Sequence, residues 1–219
     1  ADQASNLIHC SNYFNIDLQD KVAEKFVEHS GLEAVLFCNS GLEANDCAIK
    51  IARKFGHAKG IDVPNMIVLK HAFHGRSIAT LSATGNPSVR EDFSPYTEGF
   101  IFVDESDFDG IRKIVEENKN VVAIFFEPIL GEGGVVPIDL SVIKGIREIC
   151  DEHDLLMMCD EVQCGMGRSG KWFAHQWAEI KPDVITMAKG LAGGVPVGAV
   201  IVSEKANIFK PGNHGSTFG

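Results

Sequence analysis

The sequence has no excess of basic residues, no cysteine pair at metal or redox spacing, and no apolar run long enough to span a membrane. Thirty acidic residues against twenty basic ones give a formal net charge of −10, whereas nucleic acids and anionic membranes select basic surfaces. The six cysteines contain no C-x-x-C pair, which argues against a zinc ribbon or a redox motif. A stretch of about 20 apolar residues and a signal-peptide pattern are both missing. We therefore expect a cytoplasmic protein with reduced thiols, with neither nucleic acid nor membrane as partner.

Short apolar runs alternate with helical patterns along the chain, and they predict seven strands. The predicted strands begin at Ala34, Met66, Phe100, Val121, Leu155, Val184 and Val197. Helices are predicted over 17–30, ending at Gly31, and over 42–55, ending at Gly56. Continuous apolar strands separated by helices indicate an α/β domain with a mainly parallel sheet covered on both faces. The last strand follows its predecessor after a loop too short for a parallel crossover, so it is expected to be antiparallel.

Two of the predicted strands end in side chains of opposite charge. The run that begins at Val184 ends in Lys189, and the run that begins at Leu155 ends in Asp160. In open parallel sheets, ligands bind in the crevice beyond the carboxyl ends of the strands. A nucleophilic amine and a carboxylate are therefore expected in one pocket.

Other chemistry-bearing loops follow strands in the same way. Residues 39–45 open a helix, where free N–H groups can bind phosphate, although an ordinary capped turn has the same pattern. In the loop 71–76, Phe73 could stack on a flat heterocycle or pack in the core, and Arg76 could hold a carboxylate. The loop 127–134 carries Glu127 and Glu132, which face either the crevice or solvent. The two histidines of 71–76 have no third ligand at a recognisable spacing, so no metal site is expected.

The run 165–170 matches the pattern G-x-G-x-x-G of dinucleotide-binding proteins. That fingerprint belongs in the first strand–helix unit and opens a helix. Here it lies late in the chain and precedes a turn-rich stretch. A nicotinamide-dependent oxidoreductase is therefore a poor explanation, and the run is interpreted as a flexible loop.

A phosphate seat, an aromatic ring, a carboxylate, an amide and a strand-end lysine together meet the requirements of pyridoxal 5′-phosphate. These stretches resemble the class III, pyridoxal-phosphate-dependent aminotransferases of fold type I, and within them the acetylornithine type. The matching stretches are 39–45, 71–76, 127–134, 160–170, 188–190 and 214–217, along essentially the whole chain. The resemblance implies that 1–219 form the cofactor-binding large domain of that fold. The family's N-terminal segment and C-terminal small domain are expected to be absent from this chain.

The resemblance also implies roles around the cofactor ring. Lys189 would form the Schiff base and transfer the proton, and Asp160 would pair with the pyridine nitrogen. Gln163 would contact the ring hydroxyl, Phe73 would stack on the ring, and His74 would belong to the same cofactor-binding loop.

The phosphate would lie against Ser40, Gly41 and Leu42. Leu42 stands where acetylornithine enzymes usually carry threonine, so a hydroxyl contact is lost and backbone N–H groups would have to serve. Thr217 would reach the phosphate of a neighbouring subunit, which implies a homodimer with shared active sites.

On the substrate side, the resemblance implies that Arg76 binds the α-carboxylate. Glu132 would switch between substrate types, and Glu127 would support the site as a further acid. The implied reaction moves the terminal amine of N-acetylornithine, or a similar ω-amino substrate, to 2-oxoglutarate in arginine biosynthesis. Two alternatives stay open: a truncated fragment that folds without catalysis, and an aminomutase of the same fold.

Overall fold

The structure is a computed structural model and describes residues 2–219. Its main feature is a seven-stranded sheet. The strands are β1 (Ala34–Cys38), β2 (Asn65–Leu69), β3 (Phe100–Val103), β4 (Val121–Phe126), β7 (Leu156–Asp160), β8 (Val184–Met187) and β9 (Gly198–Val202). Two further short strands, β5 (Ile129–Leu130) and β6 (Val136–Pro137), pair with each other in a separate hairpin.

The strand order in the large sheet is β1-β9-β8-β7-β4-β2-β3. Strand β9 runs antiparallel to both β1 and β8, and the other pairs are parallel. The predicted α/β fold and its reversed last strand are therefore confirmed. Because β1 and β8 are both antiparallel to β9, the carboxyl ends of β1, β8, β7, β4 and β2 lie at one edge. The start of β9 lies at that edge too.

Helices cover both faces of the sheet. They are α1 (Asp2–Asn6), α2 (Asp17–Ser30), α3 (Gly41–Ala58), α4 (Ile78–Ala83), α5 (Pro87–Arg90), α6 (Phe108–Glu117) and α7 (Leu140–Glu152). Short 3₁₀ helices span Ala174–Ala178, Lys189–Ala192 and Glu204–Ala206.

Alternation along β4 shows how the two layers form. Phe125 packs in the cluster that includes residues of α3, whereas Ile124 and Phe126 pack in the cluster that includes residues of α6 and α7. All three side chains are fully buried. A strand buried on both faces reads as a continuous apolar run, which is why periodicity located it correctly.

One predicted helix end is correct and another is wrong. Gly31 ends α2 in the left-handed conformation at φ 67°, with its N–H donating to the Val27 carbonyl. Gly56, predicted to end α3, lies inside it, because α3 continues to Ala58. A Cβ atom at Gly56 would lie 2.7 Å from Pro64 and 2.8 Å from Val122. This glycine is therefore required for close packing against the sheet.

None of the helices among residues 2–219 is long and apolar enough to cross a membrane. The six cysteines are unpaired thiols, and all but Cys10 are buried. Burial raises the pKa of the Cys47 and Cys150 thiols to about 12, which makes both unreactive as nucleophiles.

Candidate active site

A cavity of about 490 Å³ lies at the sheet edge where the parallel strands end. Its volume is in the range of small-molecule sites. Every site residue predicted from the sequence lines it, except Thr217. Those lining residues are Ser40, Gly41, Leu42, Phe73, His74, Arg76, Glu127, Glu132, Asp160, Gln163 and Lys189. They come from the carboxyl ends of β1, β2, β4, β7 and β8 and from the segments that follow these strands, so the fold itself assembles them.

Lys189 follows β8 and opens a 3₁₀ helix, with an exposed side chain. Its backbone has φ 44°, in the left-handed region. For a residue with a Cβ atom, that backbone conformation costs roughly 1–2 kcal/mol. Backbone strain of this kind concentrates at functional sites. The Lys189 amine is thus carried by a residue whose backbone conformation is unfavourable for lysine.

Asp160 ends β7 and is 2% exposed. Its Oδ2 accepts from Asn45 Nδ2 at 2.7 Å and contacts His74 Nδ1 at 2.8 Å. Its Oδ1 accepts from the backbone N–H of Val162 at 3.0 Å and from the Thr186 hydroxyl at 3.4 Å. The carboxylate is held on all sides by donors, which fixes both its orientation and its role as an acceptor.

The amino end of α3 forms one wall of the cavity. The Ser40 hydroxyl accepts from the N–H of Glu43, and the Ser40 carbonyl accepts from the N–H of Ala44. The N–H groups of Gly41 and Leu42 are left without a partner in the helix, as the first N–H groups of any helix are. A Cβ atom at Gly41 would lie 2.7 Å from Val162, so only glycine allows the start of α3 to pack this closely against Val162.

Glu127 joins two loops of the cavity. Its Oε1 accepts from the backbone N–H of Phe73 at 2.8 Å, and its Oε2 accepts from that of Gly131 at 3.0 Å. The side chain is buried, whereas Arg76 and Glu132 are exposed at the cavity mouth. Glu127 therefore holds the aromatic loop and the glutamate loop in place.

The pKa of Glu127 is raised to about 7, first by burial and second by the nearby charge of Asp160. The folded protein thus binds a proton more tightly than the unfolded chain, whose glutamate titrates near 4.5. Stability from this group is complete below pH 4.5 and is lost as the pH rises through 7. The expected loss is about 3 kcal/mol.

The measurement is urea unfolding of wild type and Glu127→Gln between pH 4 and 8. Because glutamine does not titrate, the difference in unfolding free energy between the two proteins should shift in favour of Glu127→Gln as the pH rises. An exposed control, Glu117→Gln, should keep a constant difference from wild type. A pH-independent difference for Glu127→Gln would contradict the raised pKa.

Two parts of the cavity were not assigned from the sequence. Asn45 lines the cavity and donates to Asp160, although it had been given no role within 39–45. A polar side chain on the otherwise apolar, buried face of α3 was the signal that could have identified it. Residues 194–197, which lead into β9, form a further wall. They lie there because β9 is antiparallel to β8 and therefore starts at the edge where the parallel strands end.

Thr217 is exposed and does not line the cavity of its own chain. Its contact with a neighbouring subunit stays a prediction. The run 165–170 forms turns followed by a 3₁₀ helix, and not the strand-to-helix junction that a dinucleotide fingerprint requires. His71 is paired with Glu105 at 2.8 Å, and no cluster suited to a metal ion occurs among residues 2–219.

These residues fit pyridoxal 5′-phosphate. The N–H groups of Gly41 and Leu42 at the start of α3 have no partner in the helix and are available to an anion. Asp160 offers a buried acceptor for a protonated ring nitrogen, and Lys189 offers a primary amine from the neighbouring strand. Phe73 provides an aromatic face in the same cavity.

Comparison with known proteins gives the family. The model of the class III aminotransferases matches residues 1–219. An acetylornithine aminotransferase of Nitrosomonas europaea is 49% identical over 219 residues, which are 100% of this chain and 56% of that protein. One of Synechocystis is 46% identical over 225 residues, covering 100% of this chain and 52% of the relative.

Solved structures of aminotransferases share the fold of this chain. An ornithine aminotransferase of Toxoplasma gondii superimposes with a TM-score of 0.94 at 34% identity, covering 100% of this chain and 53% of that one. An N-acetylornithine aminotransferase of Stenotrophomonas maltophilia gives 0.80 at 37% identity, covering 94% and 51%. The chain spans about half the length of these relatives. With its fold, its cavity and the match along its entire length, the chain belongs to the class III aminotransferases, which depend on pyridoxal 5′-phosphate.

Proposed function

We propose that this chain is the cofactor-binding large domain of an acetylornithine-type aminotransferase of arginine biosynthesis. The observation that carries the proposal is the meeting of Lys189, Asp160 and the amino end of α3 in one cavity. Relatives that are 49% and 48% identical to this chain over the matched residues are named acetylornithine aminotransferases, which supports the choice of substrate.

When bound, pyridoxal 5′-phosphate supplies an aldehyde carbon for the amine and a conjugated ring that withdraws electrons. Lys189 Nζ would hold the cofactor covalently and, once free, would move a proton at the substrate carbon. Asp160 would accept from the protonated ring nitrogen and stabilise its positive charge. Phe73 would stack on the ring, and Gln163 would bind its hydroxyl.

The substrate would enter at the cavity mouth, where Arg76 and Glu132 are exposed. The Arg76 guanidinium lies 5.9 Å from the Phe73 ring centroid, beside the proposed cofactor face. It would bind the α-carboxylate of N-acetylornithine or of 2-oxoglutarate through paired hydrogen bonds. Glu132 would admit one substrate or the other by turning towards Arg76 or away from it.

The proposed assembly is a homodimer in which Thr217 of each subunit binds the phosphate in the other. Its exposure on its own subunit leaves the hydroxyl available for such a contact. This arrangement would add the hydroxyl that Leu42 does not provide.

The test of this function is glutamate formation from N-acetylornithine and 2-oxoglutarate by the cofactor-loaded full chain. Conversion of the amine substrate into an isomer without any 2-oxo acid would indicate an aminomutase. Cofactor binding without amine transfer from any ω-amine would indicate a fragment that folds without catalysis.

Arg76→Ala is expected to raise the KM for the substrate carboxylate by about 10–100-fold, since a hydrogen-bonded charge is lost. Arg76→Lys should fall between the two, because lysine keeps the charge without the fork geometry. Arg112→Ala on α6 serves as the matched control and should leave steady-state kinetics unchanged. An unchanged KM in Arg76→Ala would remove Arg76 from the substrate site.

A further inference from the structure

The side chain of Asn45 is buried beside the cavity and bridges two elements. It lies on α3 and is 2% exposed. Its Nδ2 lies 2.7 Å from the carbonyl oxygen of His74 and 2.7 Å from Asp160 Oδ2. Its Oδ1 has no hydrogen-bond partner within the described part of the chain. Both hydrogens of the amide are thus used, while its acceptor is not.

Chemistry alone fixes which way this amide points. A backbone carbonyl can only accept, so the Asn45 atom beside the His74 carbonyl must be the nitrogen. That nitrogen has a second hydrogen, and it is directed at Asp160 Oδ2. Oδ2 must therefore present a lone pair to Asn45, so the amide fixes one of the acceptor directions of this oxygen.

His74 is the next member of this network. Its Nδ1 lies 2.8 Å from the Oδ2 atom that accepts from Asn45, so a ring proton on Nδ1 has an acceptor. Its Nε2 is buried and has no partner among residues 2–219, so a ring proton on Nε2 would be an unpaired buried donor. The surroundings therefore satisfy the tautomer with its proton on Nδ1. The ring is stacked on Phe125 with centroids 4.1 Å apart, which holds its plane.

We propose that Asn45 is a positioning residue that fixes Asp160 as an acceptor and His74 as its Nδ1–H donor. The hydrogen bonds link the His74 carbonyl, the Asn45 amide, the Asp160 carboxylate and the His74 imidazole in that order. The proposal deepens the function proposed above and rests on it for one point, that Asp160 faces the ring nitrogen of pyridoxal 5′-phosphate. Asn45 acts on the cofactor only through Asp160.

The first measurement concerns the cofactor-free full chain and needs no activity. Long-range ¹H–¹⁵N correlation of histidine-labelled protein reports which ring nitrogen carries the proton, and His74→Ala identifies the signals. We expect wild-type His74 to be neutral with its proton on Nδ1. A proton on Nε2 would overturn the proposal.

The second measurement compares variants of Asn45. Asn45→Ala should weaken pyridoxal 5′-phosphate binding about tenfold in equilibrium dialysis. It should also shift the His74 ring nitrogen signals, because Asp160 Oδ2 loses one of its two partners. The rate constant kcat should fall while the KM for the amino donor stays constant, because Asn45 does not touch the substrate. Asn120→Ala, which removes an exposed side chain between α6 and β4, should match wild type.

His74 ring nitrogen signals and a cofactor affinity that both stay unchanged in Asn45→Ala would overturn the proposal. Should the alanine variant fail to fold, the wild-type tautomer still decides. Failure of wild type to bind pyridoxal 5′-phosphate would instead contradict the proposed function, and the tautomer measurement separates the two.

Discussion

Lys189→Ala is expected to abolish covalent attachment of pyridoxal 5′-phosphate and to reduce amine transfer by on the order of 10²–10⁴-fold or more. That range is typical of the loss of one proton-transferring side chain, and loss of the covalent link adds to it. The measurement is borohydride reduction of the loaded protein followed by mass spectrometry of the peptide that contains residue 189. Wild type should carry the cofactor on this peptide.

Two further variants give this result its specificity. Lys113→Ala, on the exposed side of α6, should retain the cofactor like wild type. Lys189→Gly should be as inactive as Lys189→Ala but more stable than it by about 1 kcal/mol, since glycine adopts a positive φ without strain. A reduced adduct that persists in Lys189→Ala would contradict the assignment of this lysine.

Asp160→Ala is expected to lower the free energy of unfolding by at least about 3 kcal/mol, because removing one member of a buried charged network strands its partners. Asn45, His74 and the backbone N–H of Val162 would all lose their acceptor. The function should suffer too, with kcat reduced on the order of 10²–10³-fold through loss of charge stabilisation. Urea unfolding and steady-state kinetics measure the two effects.

Asp160→Asn separates charge from shape in this prediction. It keeps one acceptor oxygen and the volume of the side chain, so it should be more stable than Asp160→Ala. It should nevertheless show the same loss of kcat, since the amide carries no negative charge. Full activity in Asp160→Asn would show that the charge at this position is not used.

The sequence carried enough information for the sheet and for most of the cavity. Strand β4 is apolar on both faces, and loop length alone set the direction of β9, so local patterns identified both. Lys189 and Asp160 were identified because a charged side chain at the end of a buried apolar strand is expected to point into the crevice beyond the strand ends.

What the sequence did not reveal depended on contacts between distant segments. Gly56 has the local signature of a helix end, but α3 continues past it. Only the closeness of Pro64 and Val122 shows that this glycine is needed for packing. Asn45 gains its role from His74 and Asp160, which are 29 and 115 residues away in the chain. Glu127 was expected only as a supporting acid of the site, and its partners, the backbone N–H groups of Phe73 and Gly131, appear only in the structure.

The reversed direction of β9 has a consequence for how ligand choice can change in this fold. The cavity wall at 194–197 is a connection between two strands whose register is fixed independently, by pairing of β9 with β8 and β1. A Cβ atom at Gly193 or Gly194 would meet nothing within 4 Å. Residues can thus be inserted or deleted here without displacing a strand, which makes this connection the place where evolution or an engineer can resize the site by changing chain length alone.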